Sequence, residues 1–232
     1  MLSPRNLARK LVYKIRLKRN PAIPFQNISY SQDGEDIFLS EYFRERPNGF
    51  FVDIGAHHPF RFSNTYLLYK KGWRGINIDA TPGSMDLFRK YRPGDINIEA
   101  GISDQTGEGK YYLFEEPALN GFESDLTKRY LERNCKLKKT VKIPFVALKD
   151  ILGKHCPSGK TISLLSMDIE GCELSALQSN DWNKYVPQVI LVEQFQCTPL
   201  DSIKESVIFQ FLTSLNYSLF YRFYRTCVYI HK

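Results

Sequence analysis

The segment GFFVDIGAHHPFRFSNT, residues 49–65, opens as an apolar run and closes in a polar turn. GFFVDIG reads as a buried strand, with Pro47-Asn48-Gly49 as the stop before it. Asp53 stands at its carboxyl end, and Gly55 follows two residues on. A dinucleotide loop of the form G-x-G-x-x-G would need a second glycine where His57 stands. The segment thus pairs a strand-end acid with a half-finished glycine loop and two histidines, His57 and His58.

The flanking sequence says what kind of sheet this strand belongs to. Before it, residues 33–46 read as a helix with Ile37, Phe38, Tyr42 and Phe43 on one side. After it, SNTYLLYKKG reads as a helix capped by Ser63 or Asn64 and ended by Gly72. RGINIDATPG is a second strand ending in Asp79, SMDLFRKY a helix closed by Pro93-Gly94, and DINIEAGISD a third strand. Strands alternating with helices predict a parallel sheet with crossovers. The alternation breaks over residues 110–146. Two strands, 110–114 and 140–146, flank a loop and a short helix near 126–134, which predicts an inserted hairpin or a lid over the sheet edge. It resumes with the strand ISLLSMDIEG running into the helix EGCELSALQSNDW, then the strand PQVILVEQ and the amphipathic helix IKESVIFQFLTSLN. YSLFYRFYR and CVYIHK read as a terminal antiparallel pair. The predicted fold is an α/β Rossmann-like sheet, mostly parallel, with an antiparallel C-terminal strand and an inserted β-hairpin.

Composition agrees with a single globular domain and narrows its setting. The 232 residues are 43% hydrophobic and 14% aromatic, with no apolar run long enough to span a bilayer. No secretory leader is expected, because no unbroken apolar stretch follows the basic N-terminus. The five cysteines are widely spaced and form no C-x-x-C pair, which argues against a disulfide framework or a zinc site and for a reducing cytoplasm. Seven of the 32 basic residues lie in residues 1–20, where there is no acid, so the remaining 25 match the 25 acids of the body. Nucleic acid is therefore not an expected partner of the body. Residues 1–24 read as a basic amphipathic helix and linker, and residues 25–232 as the main domain. Leu7, Leu11 and Ile15 form the apolar stripe of that helix. It can lie on an anionic membrane surface or dock on the body.

In doubly wound sheets, ligands bind beyond the carboxyl ends of the strands. Asp53 and Asp79 stand at two such ends, 26 residues apart. A carboxylate at the second end suits the hydroxyls of a ribose. At the first end, two imidazoles would crowd a pyrophosphate and Asp53 would repel it, whereas Asp53 would welcome an ammonium group. The loop thus suits an adenosine bearing a cationic amino acid tail and no phosphates, a description met by S-adenosylmethionine. A nicotinamide-dependent oxidoreductase is disfavoured by the missing glycines. A binding protein that keeps the fold without catalysis is a further alternative.

The segments YSQDGEDIFL, GFFVDIGAHHP, SNTYLLYKKGWRGINIDATPGSM, AGISD and SMDIEGCELSAL, taken in this order, resemble the FkbM family of S-adenosylmethionine-dependent methyltransferases. The resemblance spans residues 30–193. It implies a class I methyltransferase fold and methyl transfer to a hydroxyl of a sugar, glycan or secondary metabolite. It places Asp53, Gly55 and Ala56 at the methionine end of the cofactor, Asp79 on the ribose, and Ser103 and Asp104 near the adenine. His57, Asn64 and Ala80 join this expected cofactor set.

An alkyl hydroxyl needs a base, or a metal, before it attacks a methyl group. Asp168 and Glu170 in MDIEGCE, with Glu193 at the end of the next strand, are the candidates, and Glu173 opens a helix where an acid also suits the dipole. Asp168 is the first choice of base and His58 the second, with Glu170 beside them. The acids can equally hold a hard divalent cation. The arrangement resembles catechol O-methyltransferase-like enzymes, which place magnesium there, so Asp168 and Glu193 are the expected metal ligands. The loop 118–126 is the expected acceptor contact, and Phe60, Trp73 and Phe122 are aromatics that can stack on a sugar ring.

Overall fold

The computed structural model describes residues 27–194 and 200–232, preceded by the isolated positions Ile15, Lys18, Asn20 and Ala22. The expected basic N-terminal helix lies outside the described residues apart from those positions, as does Cys197. The strands are β1 (Phe50–Ile54), β2 (Arg74–Asp79), β3 (Ile96–Glu99), β4 (Gly101–Ile102), β5 (Glu108–Phe114), β6 (Gly121–Phe122), β7 (Leu137–Val146), β8 (Leu164–Met167), β9 (Val189–Glu193), β10 (Tyr217–Arg222) and β11 (Thr226–His231). The helices are α1 (Glu35–Tyr42), α2 (Tyr66–Lys70), α3 (Met85–Tyr91), α4 (Asp125–Glu132), α5 (Leu148–His155), α6 (Glu173–Gln178) and α7 (Val207–Ser214).

A seven-stranded sheet runs in the order β10-β11-β9-β8-β1-β2-β3. Its inner pairs are parallel, and β11 is antiparallel to both β9 and β10. This is the Rossmann-like sheet expected from the alternation, with its antiparallel C-terminal strand. All five residues of β1 are buried, because helices cover both faces of a central parallel strand. Val52 and Ile54 face one apolar cluster with Ile76, Leu165 and Ile190, and Phe51 faces the other with Leu39, Leu68 and Trp73. Chain order reverses between β1 and β8, so the crevice at their carboxyl ends is where a ligand site belongs.

Three features depart from the expected layout. DINIEAGISD is two strands, with β3 in the main sheet and β4 in a second one. Ala100 donates its N–H to the Asp79 carbonyl at 3.0 Å, and the chain then crosses over the Phe122 ring. Gly101 permits that crossing, since a Cβ there would lie 2.4 Å from the ring. The inserted hairpin is a four-stranded sheet, β4-β7-β5-β6, with α4 between β6 and β7. Finally, α5 precedes β8, a helix not foreseen from the sequence. Leu148, Ile151 and Leu152 form its buried stripe at i, i+3 and i+4.

Candidate active site

Beyond the carboxyl ends of β1, β2, β8 and β9 lies a cavity of about 280 Å³. The β1 turn forms one part of its wall. Gly55 and Ala56 both donate their N–H to the Ile78 carbonyl, at 2.9 and 3.0 Å, which ties the turn to β2. Asp53 is buried and accepts the Thr65 hydroxyl at 2.6 Å. Burial raises its pKa, while the Thr65 bond and the Arg92 charge pull it down. Asp79 accepts the N–H of His57 at 2.8 Å and of Thr81 at 2.7 Å, one on each carboxylate oxygen. Each oxygen keeps a lone pair for a further donor. Asp53, Gly55, Ala56, Asn64, Asp79 and Ala80, all in the expected cofactor set, line the cavity together.

The two histidines divide the work. His57 takes a left-handed φ of 54°, which turns its ring to the cavity wall. Its Nε2 is buried with no hydrogen-bond partner, and burial lowers its pKa against the pull of Asp79. His58, expected as a second base, is not on the cavity. Its Nδ1 accepts the N–H groups of Phe60 and Arg61 at 3.1 and 3.0 Å, so the ring is spent in closing the loop. Ser103 and Asp104, expected near the adenine, also lie outside the lining. The splitting of β3 from β4 puts Ala100 and Ile102 on the cavity instead. Ser103 and Asp104 bond to the Ser175 hydroxyl on α6.

Asp168, Glu170 and Glu193 form the acidic part of the wall, each offering an oxygen within 4.8 Å of the others. Asp168 and Glu193 lie side by side, and two carboxyls this close in a low-dielectric site favour one shared proton over two negative charges. Burial, then the neighbouring carboxylates, push Glu193 up to about 12. Burial first and Asp168 second push Glu170 up to about 8, against the hydrogen bond from Tyr130. Tyr130 on α4 donates its hydroxyl to Glu170 Oε2 at 2.6 Å. The Ser124 hydroxyl, which also caps α4, donates to the Glu170 carbonyl at 2.7 Å. These bonds hold Glu170 in a left-handed φ of 57°. Glu173 is the exception among the four acids. Its Oε1 accepts the N–H of Ile169 at 3.0 Å and of Gly171 at 3.1 Å, so it braces the turn from inside.

The clustered carboxylates of Asp168, Glu170 and Glu193 are oxygen ligands of the kind a hard divalent cation takes. Holding one would displace the shared proton and compete with the Tyr130 bond. The loop expected to contact the acceptor does reach the cavity, through Ala118, Leu119, Asn120, Gly121, Phe122 and Leu126. Of the three aromatics, only Phe122 lines it; Trp73 is fully buried in the core. Tyr130, Arg133, Tyr111 and Arg225 line it without having been singled out in the sequence. Leu126 and Tyr130 are four residues apart on one face of α4, and that spacing was the available signal.

The family profile described as the Methyltransferase FkbM domain matches residues 53–219. No curated protein matches the chain. A solved structure of a TehB-like SAM-dependent methyltransferase from Corynebacterium glutamicum is similar at a TM-score of 0.42 and 12% identity, covering 97% of this chain and 99% of that one. Matched over well more than half its length, the chain belongs to the FkbM family of S-adenosylmethionine-dependent methyltransferases.

Proposed function

We propose that the protein methylates a hydroxyl group on a sugar, glycan or secondary-metabolite acceptor. The observation that carries this reading is the proton-sharing pair Asp168–Glu193 on the same cavity as Gly55 and Asp79. An amine attacks a methyl group with its own lone pair, whereas an alkyl hydroxyl needs a base. A buried carboxyl pair with one negative charge is such a base.

The residues present fit the cofactor that the family implies. Asp79 has lone pairs free for two ribose hydroxyls, the orphaned His57 Nε2 awaits a partner, and Gly55 and Ala56 give close backbone approach. S-adenosylmethionine, when bound, supplies a methyl group on a sulfonium. The neighbouring Asp168 raises Glu193 whereas Glu193 pulls Asp168 down, so Glu193 keeps the shared proton and leaves Asp168 ionised. Asp168 then takes the proton of the attacking hydroxyl. Glu170, aimed by Tyr130, orients that hydroxyl. Asn120, Gln32 and the Tyr111 and Phe122 rings suit a hydroxyl-rich ring in the remaining space. Magnesium at Asp168 and Glu193 is the variant of this scheme in which an ion replaces the shared proton.

We place the protein in the cytoplasm, with its basic N-terminus able to meet an anionic membrane. The described cysteines Cys135, Cys156 and Cys172 are free, which supports a reducing compartment. Among the described residues no helix is long and apolar enough to cross a membrane.

Calorimetric titration with S-adenosylhomocysteine, beside NADH, tests the cofactor. Methyl transfer across a panel of hydroxyl acceptors, with and without magnesium, tests the chemistry. Asp168→Asn is expected to keep S-adenosylhomocysteine affinity and lose at least about a hundredfold in turnover. Full turnover in that variant would remove Asp168 from the mechanism.

A further inference from the structure

We infer that the acceptor carries an oxyanion, a phosphate or a carboxylate, close to the hydroxyl that is methylated. The inference rests on the proposed methyltransferase reading and narrows its substrate class.

Two arginines line the cavity, Arg133 and Arg225. Arg225 is paired with Asp33 at 3.1 Å. Arg133 closes α4, one turn from Tyr130, and its side chain has no ion pair or hydrogen bond among the described residues. A guanidinium presents a planar fork of donors that matches carboxylate and phosphate oxygens two at a time. A neutral sugar can accept its hydrogen bonds but offers no opposite charge to strengthen them.

Arg133 is also part of a wider basic region. Residues 128–142 hold seven lysines and arginines and one acid, Glu132, in a body whose basic and acidic residues balance only when this stretch is counted. Lys128 pairs with Asp125 and Lys136 with Glu115, both at 3.6 Å. Lys138, Lys139 and Lys142 have no carboxylate partner among the described residues. The register of the inserted sheet sets Lys110 directly opposite Lys142, a like-charge pair that works against the hairpin. The insertion thus concentrates positive charge on the element that also contributes Tyr130, Arg133 and the 118–126 loop to the cavity. Arg133 is the part of this basic stretch that reaches the cavity, and the lysines beside it raise the local concentration of anions near the insertion.

Two structural roles compete for these residues. Lysines on the free edge of β7 discourage edge-to-edge pairing, and β7 meets β4 only at Phe145 and Val146. That role accounts for the strand lysines but not for Arg133, which lies on no strand. A cation at the end of α4 suits the helix dipole. That role does not require a place on the cavity wall, and it predicts a loss of stability without a loss of anion binding.

The test is calorimetry on the full chain, with and without saturating S-adenosylhomocysteine. The probes are inorganic pyrophosphate, trigalacturonate and neutral maltotriose. The expected result is binding of at least one anionic probe, weakened about tenfold in Arg133→Gln, with maltotriose unchanged by the substitution. Binding of pyrophosphate alone assigns a phosphate-bearing acceptor, and binding of trigalacturonate alone a carboxylate-bearing one. Arg16→Gln with Lys18→Gln controls for the basic N-terminus and is expected to leave probe binding intact. If neither anion binds while S-adenosylhomocysteine does, the inference falls and the methyltransferase reading stands. Equal anion binding by the parent and by Arg133→Gln means general polyelectrolyte attraction and overturns it too. Failure of S-adenosylhomocysteine to bind overturns the reading on which it rests.

Discussion

Gly55 lies against the backbone of Asp168: a Cβ built on Gly55 would stand 1.7 Å from the Asp168 carbonyl oxygen. The glycine turn after β1 and the acidic turn after β8 are therefore in backbone contact. The Asp168 N–H reinforces this by donating to the Ile54 carbonyl at 3.0 Å. The proposed methyl donor site and the proposed base are held together by main chain and do not depend on a flexible side chain to meet.

Gly55→Ala tests that contact. Gly55 has a φ of 77°, so the substitution meets both a strained backbone and a closed space. The expected loss is at least about 2 kcal/mol of stability, with loss of S-adenosylhomocysteine binding. Urea denaturation and calorimetry read the two effects. Parent-like binding would show that the turns can separate without harm.

Arg92 and Asp95 form a wholly buried ion pair at 2.8 Å. Arg92 also donates to the Thr65 hydroxyl oxygen at 3.0 Å, and Thr65 donates to Asp53 at 2.6 Å. The chain Asp95–Arg92–Thr65–Asp53 thus runs from α3 and its C-terminal turn to the cavity. Arg92→Leu leaves Asp95 buried and uncompensated, and about 3–5 kcal/mol of stability is expected to go with it. Cofactor affinity should fall as well, because Thr65 loses its fixed position. Chemical denaturation showing a loss under about 1 kcal/mol would mean that Asp95 finds another partner.

The acidic cluster makes stability depend on pH with a definite sign. Burial raises Glu170 to about 8 and Glu193 to about 12. Unfolded carboxyls release their protons near 4.5, so above that pH the folded protein holds protons that the unfolded chain has lost. Their contribution is full below about pH 4.5 and is lost as pH rises through the folded values. His57 and His58, whose pKa values are lowered, act the other way and only around their ordinary range near 6.5. Glu170→Gln removes one term. Its urea midpoint should fall less than the parent's between about pH 5 and about pH 9. Parallel curves would place Glu170 in contact with bulk water.

His58→Ala separates a loop brace from a base. It removes the acceptor of two backbone N–H groups, at an expected cost of about 1 kcal/mol. The pH–rate profile of methyl transfer should keep its shape. A displaced acidic limb would return His58 to the reaction.

The strand-end acids were readable because their cause is local. Apolar runs ending in Asp53, Asp79 and Asp168 mark strands, and a parallel sheet puts its ligand at those ends. The histidines were not separable in the same way. Adjacent rings in a turn point wherever the backbone sends them, and the left-handed φ of His57 is set by the N–H bond to Asp79 on another strand. Ser103 and Asp104 were placed on the wrong side of the turn because one apolar run, DINIEAGISD, serves two sheets. Tyr130 and Arg133 come to the cavity on an inserted element whose docking depends on Ser124, Gly121 and Gly171 meeting the Glu170 turn.

From the sequence alone came the alternation of strands and helices, the parallel sheet, and the end of the sheet at which the cavity lies. These follow from periodicity and from turn residues, which act over a few positions of chain. Tertiary structure decided which acids face one another. Asp168 and Glu193 are 25 residues apart and meet because β8 pairs with β9 in the register that sets Met167 beside Val192. Glu173, five residues from Asp168, turns inward to bind the N–H groups of its own turn. Side-chain direction at a strand end depends on the backbone angles of the turn and on what packs against it, and here both are set by partners distant in the chain.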